Sequence, residues 1–231
     1  MNNKTMNYTN HITTIEEHTR NTFLWMFLGL LLTAGIAYFC ATTGLMLQLL
    51  IDKPFLCVVL IIAQIGVAIS IGARLSNMHP VTAKILYFIY ATLRGISFSS
   101  LMLIYDLGAI FIAFGISALY FGCLTIIGYT TKYNLMKFGP ILMVGLFVLI
   151  VAEIIMIIMG LDITTKLMTG IGLVLFTGIT IYDTQKMKVL YESNINNETI
   201  LRKLSIYSAF ELYLDFVNIF LYILRLVGSR D

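Results

Sequence analysis

Long apolar runs separated by short polar breaks set the pattern of this chain. The runs are Phe23–Leu47, Pro54–Ala73, Val81–Tyr105, Leu107–Gly128, Phe138–Gly160, Lys166–Asp183 and Ser205–Val227. Each is close to the ~20 residues that cross a ~30 Å hydrocarbon layer as a helix. Lipid offers the backbone no hydrogen-bond partners, so only helices or closed barrels span it. Runs this continuous lack the alternation of barrel strands. The pattern predicts an all-α integral membrane protein, a bundle of seven helices. Residues 1–22 form an N-terminal tail, 23–227 the membrane domain and 228–231 a C-terminal tail. The polar stretch Thr184–Leu204 reads as a flexible connector on the cytoplasmic side.

Composition agrees: 59% of the 231 residues are hydrophobic and 12% charged, about half the charge of a soluble domain. The first twenty residues lack the apolar core of a cleaved signal peptide. Lysine and arginine set the orientation. With the N-terminus in the cytoplasm, that side holds Lys4, Arg20, Arg74, Lys84, Lys132, Lys137, Lys186, Lys188, Arg202 and Lys203. The far side holds Lys53, Lys166, Arg225 and Arg230, and Arg94 is intramembrane. An N-terminus inside follows. No basic cluster suits nucleic acid. Cys40, Cys57 and Cys123 lie in apolar runs and read as small packing residues. His11, His18 and His79 fall in a tail and a loop, outside any metal motif. The small pairs Gly66/Ser70 and Ala118/Gly122 read as helix-packing contacts.

Ionisable residues inside a span cost ~2.5–3.5 kcal/mol each on insertion scales and face a bundle interior or a water-filled cavity. In the seventh run Glu211, Asp215, Asn218, Tyr222 and Arg225 recur at spacings of four, three, four and three. That spacing draws one polar stripe along a helix. In lipid the stripe must point inward, so the last helix is central or lines a polar cavity. A re-entrant segment is the alternative for this run. The sixth run ends in Tyr182-Asp183-Thr184, and the second ends at Arg74. These groups gather in the cytoplasmic half of the bundle. Two carboxylates in one low-dielectric site cannot both ionise cheaply and titrate as a unit. Arg94 and Glu153, in the third and fifth runs, read as a neutralising ion pair. Asp106 and Asp162 fall at outer turns.

The segment from Thr177 through Tyr182-Asp183-Thr184-Gln185 to Lys188 resembles the sixth helix of the transmembrane Bax inhibitor motif family. The segment Leu212-Tyr213-Leu214-Asp215-Phe216-Val217-Asn218, with Arg225 beyond it, resembles that family's last helix. Gly128-Tyr129-Thr130-Thr131-Lys132 resembles the loop after its fourth helix. The resemblance implies a last helix surrounded by the other six. It implies Asp183 and Asp215 as a hydrogen-bonded, pH-sensing carboxylate pair, with Arg74 as its latch. It also implies a calcium leak in which the pair meets the permeant ion, with no other cofactor. In a bacterial cell the location would be the inner membrane. The alternative it carries is a scaffold or regulator of membrane-protein quality control or cell death, with membrane proteases as partners. Glu211 departs from the small neutral residue usual in the family. An intramembrane protease is not expected, because no GxGD, serine-histidine or metal motif occurs.

Overall fold

The structure, a computed structural model, describes residues 13–53, 55–74, 78–162 and 165–228. Eight α-helices follow one another: α1 (Ile15–Thr42), α2 (Leu45–Asp52), α3 (Phe55–Arg74), α4 (Pro80–Phe98), α5 (Leu107–Thr130), α6 (Gly139–Ile158), α7 (Lys166–Glu192) and α8 (Glu198–Val227). Seven are long and α2 is a short spur. No strand occurs among the described residues. Lys4, His11 and Arg230, used above to read orientation and chemistry, lie outside the described residues.

Helix ends follow local chemistry. Thr14 caps α1 by accepting from the Glu17 N–H at 3.2 Å, the Thr-x-x-Glu arrangement of a capping box. The helix therefore starts eight residues ahead of the first apolar run. It stops where Gly44 adopts φ 67°, a left-handed backbone that glycine accepts without steric cost. That turn divides the first run and leaves Leu45–Asp52 as the spur. Asp106 caps α5 by accepting from Ala109 N at 3.0 Å, and Asn197 caps α8 through Ile200 N at 3.1 Å.

α8 is one unbroken 30-residue helix with seventeen buried positions. It packs against α1, α4, α5 and α7. α3 leans on α4, and α6 leans on α7, as an outer layer. The central position of the striped helix is thus as expected, but four helices, not six, form its main wall. Six other helices are long and apolar enough to cross a membrane. α8 owes its place to burial within their ring, since its own charges disfavour lipid contact.

The α1–α4–α8 side is tightly joined. Thr33 Oγ1 lies 2.7 Å from the Tyr213 hydroxyl and 3.0 Å from Ala91 O. Tyr87 donates to Trp25 O at 2.9 Å and meets Tyr213 edge to face at 5.7 Å. On the other side the Tyr222 ring lies against Gly172 of α7, where any larger residue would overlap it. The pairs read as packing contacts are not these: a Cβ at Gly66 or Gly122 would meet nothing within 4 Å. Cys123 likewise is exposed on α5, while Cys40 is buried.

The end of the bundle at the α7–α8 turn departs most from expectation. α7 carries on nine residues past Asp183 to Glu192, and α8 begins seven residues before Ser205. Only Ser193–Asn197 remains as the turn between them. The stretch read as a flexible connector is mostly helix, because it is docked. His18 of α1 is fully buried; its Nδ1 lies 2.9 Å from Ser205 Oγ and its ring 5.4 Å from that of Tyr191. The Tyr191 hydroxyl donates to Thr13 O at 2.9 Å. The first turns of α1 thereby clamp the α7–α8 hairpin. A buried polar contact of this kind is invisible to hydropathy, and His18 reads from sequence as part of a tail.

Candidate functional site

A cavity of about 290 Å³ lies between α6, α7 and α8. Its polar lining consists of Asp183 from α7, Glu153 from α6, and Glu211, Asp215, Asn218 and Tyr222 from α8. The stripe predicted along the last helix therefore faces one space. Asp183 and Asp215 are 5% and 2% exposed. Both belong to the same wall, and each keeps one oxygen, Asp183 Oδ1 and Asp215 Oδ2, without a hydrogen-bond partner among the described residues. The side chain of Thr180, one turn before Asp183, stands against Asp215. Asn218 turns its amide back onto Leu214 O at 2.8 Å, a bond internal to α8.

The cation of the site comes from α7 itself. Lys186 Nζ lies 2.5 Å from Glu211 Oε1, 3.9 Å from Asp183 Oδ1 and 3.5 Å from the Tyr207 hydroxyl. Its ammonium also lies 5.2 Å from the centre of the Tyr207 ring. Lys186 is one turn beyond Asp183, on the same helix face. The sequence shows this spacing, but ending the sixth helix at Asp183 hides it. Arg74, expected as the latch, is exposed at the end of α3 and makes no ion pair among the described residues. α4 stands between its helix and α8, and Lys186 already occupies the position next to the acids.

The expected Arg94–Glu153 pair is also corrected. Glu153 Oε1 lies 3.5 Å from Arg225 Nη1 and accepts from the Tyr222 hydroxyl at 3.4 Å. Arg94 lies on α4 and donates to Gln64 Oε1 of α3 at 3.3 Å. The two residues match in depth but belong to helices on different sides of the bundle. Sequence reveals how deep a charge lies, not which helix stands beside it.

The chemistry of the first cavity is that of four carboxylates, three of them near the Lys186 ammonium and the fourth, Glu153, beside the Arg225 guanidinium. Such a group can attract a cation, exchange a proton and change the packing of α7 on α8 as its charge changes. No three acidic, histidine or cysteine side chains among the described residues converge as a metal cage.

Comparison with known proteins follows the same line. A family model described as "Inhibitor of apoptosis-promoting Bax1" matches residues 15–231. The chain is 34% identical to the inner membrane protein YbhL of Escherichia coli over 217 residues, 94% of this chain and 93% of that one. It is 36% identical to a Deinococcus radiodurans protein over 211 residues, 91% of this chain and 89% of that protein. A Rickettsia prowazekii protein is 35% identical over 231 residues, covering 98% and 97%.

Proposed function

The chain belongs to the Bax inhibitor family of membrane proteins, and from that premise we propose that it is a pH-sensitive calcium leak gated at Asp183 and Asp215. The observation that carries the reading is the placement of these two buried carboxylates, with Glu211, on one cavity wall between α6, α7 and α8. Carboxylate oxygens suit a hard cation such as calcium.

Lys186 is the internal latch in this reading. With the acids ionised, its ammonium holds Glu211 and Asp183 across α7 and α8 and fills the space a cation would use. Protonation of the aspartates removes part of that attraction and loosens α7 on α8. The orientation is N-terminus inside, as the lysine and arginine distribution favours, in a bacterial inner membrane like that of YbhL.

The test is calcium flux into proteoliposomes at several pH values. Asp183→Asn and Asp215→Asn are expected to flatten the pH response. Unchanged flux and unchanged pH dependence in both variants would exclude the gate.

A further inference from the structure

A second cavity, of about 430 Å³, lies between α3 and α4 and shares no lining residue with the first. Arg94, Gln64, Tyr90 and Ser97 form its polar wall. Arg94 donates through Nη1 to Gln64 Oε1 at 3.3 Å, and Gln64 Nε2 donates to Ser97 Oγ at 2.7 Å. Those bonds engage Gln64 Oε1 and Ser97 Oγ, the wall atoms nearest the guanidinium. Arg94 Nε is buried with no partner, and no carboxylate lies within ion-pair distance of this guanidinium among the described residues. The Phe98 ring, 5.0 Å away, is the remaining neighbour of note. The site is a set of donors around one positive charge.

Its depth and shape narrow the ligand. Arg94 lies fourteen residues into α4, about 21 Å along the helix, and Gln64 nine residues into α3, about 13 Å. α4 ends four residues beyond Arg94, but a short 3-10 segment, Ser99–Leu103, continues the same apolar span, so Arg94 lies nine residues from its far end and Gln64 ten residues from the end of α3. The rest of the wall is apolar, and Ile61 and Ile65 on it are exposed on the side that lipid would cover. A phospholipid phosphate belongs at the bilayer surface. A carboxylic acid, by contrast, can enter the hydrocarbon uncharged, lose its proton beside a guanidinium and form the paired N–H···O bonds that arginine offers a planar carboxylate. The proton leaves to the aqueous side as the ion pair forms. Its chain would lie along the apolar α3–α4 groove.

We infer that the α3–α4 cavity is a binding site for a long-chain fatty acid, its carboxylate on Arg94 and its acyl chain against Ile61 and Ile65. An uncompensated arginine in a span costs a few kcal/mol, and an ionised ligand head would offset that cost.

The probe is palmitate labelled with carbon-13 at its carboxyl carbon, titrated into full-length protein in phosphatidylcholine nanodiscs and followed by NMR. One saturable site per chain is expected, displaced by unlabelled palmitate and not by methyl palmitate. Arg94→Gln is expected to weaken binding about tenfold or more, the worth of one charge-assisted hydrogen-bond set, while Arg94→Lys keeps part of it. Ile65→Trp, which narrows the lipid-side mouth without touching the charge, is expected to weaken binding as well, and decides the matter if Arg94→Gln does not fold. Absence of a saturable component, wild-type binding in both Arg94→Gln and Ile65→Trp, or displacement by methyl palmitate would overturn the site. Displacement by chloride or by phosphatidylglycerol at levels that leave methyl palmitate inactive would instead assign the arginine to a small anion or a lipid phosphate, and would overturn the fatty acid.

Discussion

The two cavities of this bundle carry opposite charge problems and solve them differently. Between α6, α7 and α8, acids from all three helices meet cations from α7 and α8: Lys186 with Glu211 and Asp183, Arg225 with Glu153. Lys186–Glu211 ties α7 to α8 and Arg225–Glu153 ties α6 to α8, while Asp215 has no ion-pair partner among the described residues. Between α3 and α4, one arginine is held by a neutral amide and a ring. The first arrangement ties elements together and makes their packing depend on charge. The second leaves the cation without a counter-charge and joins the helices through hydrogen bonds with neutral side chains and apolar contact. Intramembrane charge is therefore no single signal: its partner decides whether it is structural, switchable or open to a ligand.

Charge removal should accordingly have opposite signs in the two places. The largest loss is expected for Lys186→Met, which leaves Glu211 and Asp183 without their cation; breaking a largely buried pair this way costs up to about 3 kcal/mol, to be read as a fall in melting temperature in detergent. Glu153→Gln should soften the α6–α8 tie and destabilise by a smaller margin, with faster hydrogen exchange in α6. Arg94→Gln in lipid-free detergent should not destabilise at all, and removal of an unpaired charge should raise the melting temperature. A loss comparable to that of Lys186→Met would break the comparison. His18→Ala removes one buried hydrogen bond and an aromatic contact where α1 clamps the α7–α8 hairpin; about 1 kcal/mol is expected, with faster exchange at the C-terminal end of α7 and the N-terminal end of α8. Arg74→Gln, exposed at the end of α3 and outside the lining of either cavity, should leave the melting temperature and the pH response of any leak where they are.

Hydropathy made the seven long helices legible because a span must be apolar for about twenty residues. Interrupting charges made the α8 stripe and Asp183 stand out for the same reason. What lies beyond the hydrocarbon layer is a different matter. The polar residues of Thr184–Leu204 resemble those of a loop, yet they continue two helices, because Tyr191, His18 and Ser205 hold them to α1. Lys186 was lost from view with that stretch. The pairing of Glu153 with Arg225 required knowing that α6 stands across α7 from α4, a matter of helix order around the bundle that no periodicity within one helix records.

The α7–α8 pair is held at two levels. Towards one end the Tyr222 ring presses on Gly172; at the other, His18 and Tyr191 fasten both helices to α1. Asp183 sits about 16 Å from the first level and about 12 Å from the second along α7. A beam fixed at both ends cannot swing; it bows, and most at the middle of its length. Any loss of attraction between the acids and Lys186 would therefore emerge as a sideways bulge at mid-span, taken up by α6, the least buried of the apolar spans, while the Ser193–Asn197 tip of the hairpin stays still.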